Sequence, residues 1–392
     1  MHITDSDLAT LRWLCDIPTA PFQEHFVVAA LRNWYQSHDR HRHLRWHCDP
    51  AGNIHLDYQR GRGNSRLLVL EAHLDHPAFV VTSMGRDGTV RAIFRGGVKP
   101  EYFPGASVLL WNAPAPHETQ SEPTRVPAQV IAVTPATKSR PLRAVLRADA
   151  ARICTGTIGT WHLPEAAVRQ NLFTARACDD LAGVAACLCV LDRLIQRRAV
   201  ARVRVLLTRA EEVGFAGAIA AAHRGWIPKN CAVIGLETSR TTAQAKLGHG
   251  PVIRVGDRTS VFDGELTGFM ANTAAGMAAV MPDFKFQRAL MDGGTCDTTA
   301  FGAFGYQAGA VCLALGNYHN MTDPPPDQGL AAASSAVPMI GSETIDVRDF
   351  AGEVELLAAL CQAFPRYQPG TAVVRKKLLH MHYHEQRKLL YA

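Results

Sequence analysis

Residues 206–222 read LLTRAEEVGFAGAIAAA, and this stretch joins an apolar run to an Ala/Gly-rich run through two adjacent glutamates. The apolar run is typical of a buried strand, and GFAGAIAAAHR is typical of a helix. Glu211 and Glu212 therefore stand where a predicted strand ends. Open α/β sheets bind their ligands at the carboxyl ends of strands. The pair is a candidate functional site, because adjacent like charges have no evident structural use.

Strands and helices also alternate on both sides of this stretch. DDLAGVAACLCVLDRLIQRRA and a segment from about Val347 to Phe364 are predicted helices, whereas CAVIGLETS and AGAVCLALG are predicted strands. WHCDPAGNIHLDY is typical of a hairpin with Gly52–Asn53 at its turn. The alternation predicts an α/β domain.

Residues from about Val80 to Ile158 have a different texture, in which short β-like runs alternate with Gly and Pro. This pattern fits a small β barrel or sandwich. We predict an α/β fold with a mixed sheet, interrupted by a β-rich, barrel-like insert. The predicted boundaries are 1–79 and 159–369 for the two parts of the main domain, 80–158 for the insert and 370–392 for a basic C-terminal helix.

Composition narrows the class of protein. The 392 residues are 47% hydrophobic and 19% charged, which is ordinary for a globular chain. No apolar run approaches a membrane span, and Asp5, Asp7 and Asp16 disfavour a signal peptide. Ten cysteines without CxxC spacing indicate no disulfide framework. We therefore expect a cytoplasmic protein with no membrane partner.

The net charge of +6 is concentrated in two clusters, His38–His47 and Val374–Leu390. Both are better explained as solvated faces than as nucleic-acid contacts, although nucleic-acid binding stays an alternative. We interpret His380, His382 and His384 in the second cluster as surface residues rather than as a metal site.

Potential metal ligands occur at five places, mostly at predicted strand ends. They are His73 and Asp75 in EAHLDH, Asp179 and Asp180 in ACDDLAG, Glu211 with Glu212, Glu237 in GLETS, and His319 in LGNYHNM. Each alone has an ordinary explanation, such as a helix cap or a satisfied polar group. Together they supply the nitrogen and oxygen ligands of two Zn²⁺-like ions.

Two such ions also account for the adjacent glutamates. Cations about 3.5–4 Å apart need an anionic bridge between them. One glutamate can then bind an ion while its neighbour takes a proton from water. We predict two divalent ions per chain, Zn²⁺ first, with Co²⁺ or Mn²⁺ as alternatives.

With these motifs in this order, the sequence resembles the co-catalytic metallo-aminopeptidases of the glutamyl-aminopeptidase, deblocking and tetrahedral (TET) aminopeptidase family. That family also holds proteins once called endoglucanases. WHCDPAGNI is similar to its early D–x–x–G–N turn, FRGGVKPEYFPGASVLLW resembles the start of its β-rich insert, and LGHGPVIRVGD resembles its L–G–x–G–P–V–I–R strand. The resemblance covers nearly the whole chain and implies an aminopeptidase-type α/β sandwich as the catalytic domain.

The resemblance implies a role for each candidate residue. One metal would be bound by His73, Asp179 and Glu237, and the second by Asp179, Glu212 and His319. Asp179 would bridge the ions, Glu211 would be the general acid and base, and Asp75 would orient His73. The β-rich insert would mediate assembly into a homo-oligomer.

Several positions depart from the family pattern. Glu237 stands where many members have Asp, and Leu181 stands where Arg is common. His76 and Pro77 replace an acidic and an aliphatic residue, Cys296 is an extra residue in GGTCDTTAF, and NYHN replaces R–Y–x–H–S. These departures leave the ligand set intact and bear on the substrate.

We interpret the chain as a dinuclear-metal hydrolase, namely an aminopeptidase that releases N-terminal residues from peptides. The alternatives are a metal-dependent deacylase of a small N-acyl substrate and a non-catalytic metal-binding assembly protein, which the presence of Glu211 disfavours. Glycoside hydrolysis is disfavoured because it needs two carboxylates and no metal. Arg209 is the one cation among the motifs, so we expect recognition of a free amine rather than of a carboxylate.

Overall fold

The computed structural model describes residues 1–37, 43–61, 66–85, 88–112, 124–138, 140–149, 153–322 and 338–390. Its helices are α1 (Asp5–Cys15), α2 (His25–Ser37), α3 (Leu181–Gln196), α4 (Ala216–Arg224), α5 (Gly264–Val280), α6 (Asp297–Ala303), α7 (Val347–Ala363), α8 (Gly370–Met381) and α9 (Arg387–Leu390). Its strands are β1 (Leu44–Cys48), β2 (Ile54–Arg60), β3 (Leu68–His73), β4 (Ala78–Met84), β5 (Thr89–Arg95), β6 (Ser107–Asn112), β7 (Thr124–Thr134), β8 (Leu142–Ala148), β9 (Ile158–Trp161), β10 (Ala167–Arg169), β11 (Leu172–Ala175), β12 (Ala201–Thr208), β13 (Ala232–Arg240), β14 (Val252–Asp257), β15 (Gln287–Met291), β16 (Gln307–Leu315) and β17 (Glu343–Asp346).

The main sheet has eight strands in the order β1-β2-β12-β3-β13-β16-β14-β15. Its centre is parallel, because β12, β3, β13 and β16 run in the same direction. The outer strands β2 and β14 are antiparallel to their inner neighbours, so the sheet is mixed. The carboxyl ends of the four central strands consequently meet at one edge, where α/β sheets place their sites.

Side-chain alternation divides the core into two layers. On β3, Leu68, Leu70 and Ala72 pack with α1, α3, α5 and α7, whereas Val69 packs on the opposite face with α4 and α6. These strands are apolar on both faces, as expected of a parallel sheet covered by helices on both sides. The predicted α/β fold with a mixed sheet is confirmed.

Six antiparallel strands form a closed barrel in the order β4-β5-β8-β7-β6-β9. Its interior is aromatic, with Phe79, Phe94, Phe103 and Trp161 in mutual ring contact. Closure removes the exposed edges that an open sheet of this size would leave. The barrel-like β-rich insert is therefore confirmed as a barrel, with strands that run from Ala78 to Trp161.

A three-stranded antiparallel sheet, β10-β11-β17, was not expected from the sequence. Its strands have three or four residues each, and β17 lies far along the chain from β11, so no local pattern announces the pairing. Glu343 of β17 pairs with Ala175 of β11, close to the predicted ligand Asp179. Through Glu343, this small sheet contacts the backbone of the candidate ligands Asp179 and His319.

Helix α8 begins at Gly370, whose backbone lies against Gly268 of α5. Residues 371–380 of α8 are exposed, including the side chains of Val374, Leu378 and His380. Within the described part of the chain, no helix has both the length and the apolar character required to cross a bilayer.

Candidate metal centre

Strand register brings the predicted ligands to the same level. Glu71 of β3 pairs with Leu206 of β12 and with Gly235 of β13. Two residues further along these three strands stand His73, Thr208 and Glu237. The remaining candidates follow strands or begin helices at the same edge. Asp179 precedes α3, Glu211 and Glu212 follow β12, and His319 follows β16.

The first cluster joins His73, Asp179 and Glu237, whose side chains are all buried. His73 Nε2 lies 3.3 Å from Asp179 Oδ1 and 3.7 Å from Glu237 Oε1. The second cluster joins Asp179, Glu212 and His319. His319 Nε2 lies 3.5 Å from Asp179 Oδ2 and 3.2 Å from Glu212 Oε1. The two oxygens of Asp179 therefore point to different histidines.

Both histidines are held by their other ring nitrogen. His73 Nδ1 lies 3.0 Å from the carbonyl oxygen of Asp75, and His319 Nδ1 lies 2.9 Å from the carbonyl oxygen of Gly97. Because a carbonyl only accepts hydrogen bonds, each Nδ1 carries a proton, and Nε2 is the nitrogen that faces the carboxylates and could bind a cation. This is the orientation that a metal-binding histidine needs.

Unpaired carboxylate oxygens are a further indication that the candidate ligands bind divalent cations. Asp179 Oδ1 and Glu212 Oε1 are buried, yet neither accepts a hydrogen bond from the described residues. Each nevertheless lies within 3.3 Å of an imidazole nitrogen. Buried carboxylate oxygens are costly when unpaired. In each cluster the candidate oxygen and nitrogen ligand atoms all lie within 4.8 Å of one another, which is close enough for one cation to bind them together.

Electrostatics agree with this arrangement. Burial alone would raise the pKa of Asp179, but the neighbouring His319 and His73 rings outweigh burial and hold this pKa well below its usual range. Burial would lower the pKa of His73, yet Asp179, Asp75 and Glu237 keep it well above the ordinary value. Burial raises the pKa of Glu237 to about 7, and the charge of Asp179 acts in the same direction. The cluster is anionic enough to attract cations strongly.

Glu211 has a distinct environment. Burial raises the pKa of its carboxyl well above the ordinary value, while His73 opposes the rise and the carboxylates of Glu237 and Glu212 add to it. A carboxyl with a raised pKa in a cleft suits a group that takes and returns a proton. Distances also permit a third group of ligands, His73 with Glu211 and Glu212. Geometry alone thus leaves two possible assignments for Glu211, which mutation separates.

Asp75 holds the backbone of the glutamate pair. Its Oδ1 accepts the N–H of Glu211 at 2.9 Å, and its Oδ2 accepts the N–H of Glu212 at 3.1 Å. Its carboxylate is 3.6 Å from His73 Nδ1, further than its own carbonyl oxygen. The sequence interpretation connected Asp75 only with His73, whereas the structure also connects it with the segment that carries both glutamates.

The chain before the glutamates is anchored by Glu24 from the segment between α1 and α2. Glu24 is buried and accepts the N–H of Ala210 at 3.1 Å, and it forms an ion pair with Arg209 at 2.7 Å. Arg209 also donates to the carbonyl of Ala51. Ala210 has φ of 55°, a left-handed conformation that a non-glycine residue keeps only when its surroundings enforce it. Arg209 therefore supports the loop and does not line the site.

Glu343 of β17 is a further residue that sequence reasoning missed. Its Oε1 accepts the N–H of His319 at 2.9 Å, and its Oε2 accepts the N–H groups of Cys178 and Asp179 at 2.7 and 3.0 Å. One fully buried carboxylate thus fixes the backbone of two candidate ligands that are 140 residues apart in the chain. No local sequence signal marks it.

We expect Glu343→Gln to weaken metal binding by roughly 10–100-fold, as is usual when the support of a ligand is removed. The glutamine amide places an N–H₂ donor against backbone N–H donors. Chelator competition measures the affinity, and Glu165→Gln, which changes an exposed glutamate, is the matched control. A folded Glu343→Gln protein with unchanged metal affinity would contradict this role.

The candidate ligands open into a cavity of about 450 Å³. Asp179, Glu211, Glu212, Glu237 and His319 line its floor. Its other walls include Ser239, Arg240, Arg254, Met291, Thr295 and Tyr318. A cavity of this volume accommodates a small ligand or the end of a peptide.

Arg254 of β14 is the notable cation of this cavity. Only 2% of its surface is exposed. Its guanidinium donates to Ser239 Oγ at 3.2 Å, while its buried Nε–H finds no acceptor among the described residues. The sequence suggested that Arg209 is the one cation near the ligands, and this expectation is wrong. Arg254 lines the cavity and Arg209 does not, and Arg240 is a second, more exposed cation of the cavity wall.

The departures from the family pattern have separate locations. His76 is buried beside the ligands, with Nδ1 2.5 Å from the carbonyl oxygen of Asp179 and Nε2 3.0 Å from Asn320 Oδ1. Leu181 is buried in the core. Cys296 is buried next to the cavity-lining Thr295, and its Sγ faces Asp257 rather than the cavity. His380 and His384 are exposed on the C-terminal helical segment.

The family model and the solved structures that this chain resembles belong to the same class of protein, the aminopeptidases. The family model of M42 glutamyl aminopeptidase matches residues 52–323. Among solved structures, an aminopeptidase of Desulfurococcus kamchatkensis is 20% identical over 92% of this chain and 96% of its own, with a TM-score of 0.71. The TET1 peptidase of Pyrococcus horikoshii is 18% identical over 91% of this chain and 99% of its own, with a TM-score of 0.68.

A Thermotoga maritima structure named as an endoglucanase is 20% identical over 91% of this chain and 97% of its own, with a TM-score of 0.61. Among curated proteins, none matches the chain in sequence. The fold is thus the one shared by TET-type aminopeptidases, a sheet-based domain with a barrel. The family match covers most of the chain, so the chain belongs to the M42 glutamyl aminopeptidase family, whose members are metal-dependent aminopeptidases.

Proposed function

We propose that this metallo-aminopeptidase uses two divalent ions per chain to release N-terminal residues from peptides. The observation that carries the proposal is the position of Asp179, whose two oxygens face His73 and His319 separately. A carboxylate between two imidazoles is the anionic bridge that a pair of cations requires.

We assign the candidate ligands to two metal-binding positions. His73 and Glu237 would hold one ion, and His319 and Glu212 would hold the other, with Asp179 shared. Bound divalent ions supply Lewis acidity, which polarises a carbonyl and lowers the pKa of water. Zn²⁺ suits this set of imidazoles and carboxylates, and Co²⁺ or Mn²⁺ are the alternatives.

Glu211 is the proposed general acid and base. It lines the cavity beside the ligands, and its N–H is fixed by Asp75. It would take the proton from the attacking water and return it to the departing amine. Asp75 would position this group while orienting His73.

The anionic floor of the cavity favours a substrate with a free amine. The side chains of Asp179, Glu211, Glu212 and Glu237 place four carboxyl groups at the floor of the cavity, where their ionised forms attract a positively charged amine. N-acetylation removes the positive charge of a peptide N-terminus. We therefore expect rapid cleavage of unmodified peptides and little cleavage of the same peptides after N-acetylation, as measured by liquid chromatography.

Arg254 supports a second, more specific expectation, namely a preference for an acidic first residue. A buried guanidinium with a free N–H is well suited to a carboxylate. The family description, glutamyl aminopeptidase, is in keeping with that chemistry. The walls near Arg254 would then receive the first side chain of the peptide.

Arg254→Met should lower kcat/KM for glutamyl substrates by roughly 10–100-fold, because a hydrogen bond to a charged group contributes about 1.5–3 kcal/mol. Leucyl substrates should change little. Arg240→Met removes a more exposed cation of the same cavity and is the control. An equal loss for glutamyl and leucyl substrates would show that Arg254 acts on the ligands instead.

A deacylase of small N-acyl amino acids is the second candidate. Arg254 favours it too, because such a substrate presents a carboxylate that needs a cation. The panel of free and N-acetylated substrates separates the two candidates. Equal or faster hydrolysis of the acetylated series would place the deacylase ahead.

We also propose that the chain forms a homo-oligomer through its barrel and acts in the cytoplasm. The Pyrococcus horikoshii relative assembles into a tetrahedron or a large octahedral shell. Replacing residues 80–158 by a short linker should change the assembly state. Light scattering that gives the same mass with and without the barrel would count against this role.

A further inference from the structure

We propose that Tyr318 is a further catalytic residue, whose hydroxyl donates a hydrogen bond to the oxyanion that forms when water attacks the peptide carbonyl. This role rests on the proposed function. Tyr318 is half-buried, lines the cavity of the metal centre and stands directly before the candidate ligand His319. It belongs to NYHN, a segment in which the sequence departs from the family pattern.

The phenol ring of Tyr318 is held against His319. The two rings are stacked, with their centroids 3.7 Å apart and their planes at 21°. His319 is itself fixed, because Glu343 accepts its backbone N–H and the carbonyl of Gly97 accepts a hydrogen bond from its Nδ1. A ring packed on a fixed neighbour cannot swing away, so the Tyr318 hydroxyl keeps a defined place beside a candidate ligand.

The backbone around Tyr318 has an uncommon conformation. Asn317, His319 and Asn320 have φ values of 55°, 54° and 64°, in the left-handed region that residues other than glycine seldom occupy. Asn317 Nδ2 donates to the carbonyl oxygen of Ser342 at 2.8 Å, which helps to hold this segment. Backbone of this kind persists where its surroundings enforce it, and it is concentrated at functional sites.

The hydroxyl of Tyr318 is unengaged within the described part of the chain. It forms no hydrogen bond with another of the described residues, and it is not enclosed in the core. Since Tyr318 lines the cavity, the hydroxyl opens into it. A hydroxyl without a partner in the protein is available to donate to a substrate.

The carboxyl groups of the site are the charged neighbours of this hydroxyl. Burial raises the pKa of Tyr318 well above its ordinary value, and the charges of Glu212, Asp179, Glu237 and Glu211 add to the rise. The hydroxyl therefore lies close to the candidate ligands and to the proposed base. It carries its proton at neutral pH, as an unperturbed phenol with a pKa of about 10 also does.

The reaction creates a negative charge that this donor can stabilise. The water oxygen bonds to the carbonyl carbon, one water proton passes to Glu211, and the π electrons of the carbonyl move onto its oxygen. Those electrons return when the C–N bond breaks and Glu211 gives the proton to the departing amine. Tyr318 keeps its own proton throughout. Its hydrogen bond is strongest while the oxygen is charged, so it stabilises the transition state more than the substrate.

Tyr318→Phe tests this role, because it removes the hydroxyl and keeps the ring on His319. We expect kcat for an unblocked peptide to fall roughly 10–100-fold, which is the usual effect of losing a hydrogen bond to a charged group. KM, metal content and thermal midpoint should change little. Tyr35→Phe is the matched control and should keep the wild-type kcat, because Tyr35 is also half-buried but packs beside Trp46, outside the cavity.

Two inhibitors show where the hydroxyl acts. The α-aminophosphonic analogue of the first residue carries a tetrahedral anion, whereas the free amino acid carries the same amine and a planar carboxylate. Tyr318→Phe should weaken binding of the analogue by about the factor lost in kcat, and binding of the amino acid by less than about two-fold. Equal weakening of both inhibitors with unchanged kcat would show that Tyr318 binds the amine, and would overturn the proposal.

Loss of metal from Tyr318→Phe would show that Tyr318 acts by supporting His319, and this result or a wild-type kcat would also overturn the proposal. Either failure leaves the proposed function standing if the wild-type protein cleaves unblocked peptides and Glu211→Gln does not. A wild-type protein that cleaves no unblocked peptide would refute the proposed function, and the role of Tyr318 with it.

Discussion

Glu211→Gln should lower kcat by roughly 10²–10⁴-fold while leaving the metal content unchanged, because general base catalysis contributes a factor of that size. The amide keeps the shape of the side chain and cannot take a proton. The backbone N–H of Glu211 is still held by Asp75, so the loop should keep its position. Steady-state kinetics and elemental analysis of the same sample give both quantities.

Glu212→Gln is the matched comparison, because it makes the same chemical change one residue away. Glu212 Oε1 lies 3.2 Å from His319 Nε2. Loss of the Glu212 carboxylate should therefore weaken the binding of one ion and also lower the activity. Distances also allow Glu211 to act as a ligand beside His73 and Glu212. If Glu211→Gln loses metal and Glu212→Gln keeps its full content, the two roles are exchanged.

Asp179→Asn should have the second large effect, which is loss of both ions together with nearly all activity. Asparagine keeps one oxygen and turns an N–H₂ group toward the other cation, and the negative charge between the cations disappears. Either ion alone would then lack a ligand. Elemental analysis after dialysis measures the metal content, and circular dichroism confirms that the variant is folded.

The neighbouring aspartate provides the control for this variant. Asp180 is equally buried, but its side chain caps α3 by accepting the N–H of Gly183 at 3.2 Å. Asparagine caps helices as well as aspartate does. Asp180→Asn should therefore keep both ions. Equal metal loss in the two variants would show that any change at the start of this helix disturbs the site. Asp179 would then have no specific role as the ligand shared by the two ions.

The ligands could be predicted because each stands where a local pattern changes. His73, Glu211, Glu212 and His319 follow apolar runs that are recognisable as strands, and Asp179 precedes a recognisable helix. Parallel strands bring such positions together at one edge without further information. The barrel was predictable for a similar reason, since short β-like runs separated by Gly and Pro persist for about eighty residues.

The supports of the ligands could not be predicted, because they depend on contacts between distant segments. Glu343 reaches two ligands through the unexpected sheet β10-β11-β17, and Gly97 of the barrel accepts a hydrogen bond from His319. Arg254 was visible only as part of a strand motif. Its burial and its direction into the cavity come from the antiparallel pairing of β14 with β16.

Cys296 illustrates the opposite case. The sequence placed it near the pocket, and its neighbour Thr295 does line the cavity. Its own side chain packs with Phe262 and Ala310 instead. Proximity along a chain does not determine side-chain direction, so an inserted residue cannot be interpreted without the backbone around it.

Metal stoichiometry tests the central claim most directly. The protein should be stripped exhaustively with a chelator, dialysed and titrated with Zn²⁺, with bound metal and hydrolysis of an unblocked peptide followed in the same titration. Our account predicts no activity in the stripped protein, about two ions bound per chain at saturation, and activity that returns with binding. Full activity in the stripped protein, or saturation at one ion with full activity, would contradict a dinuclear centre bridged by Asp179.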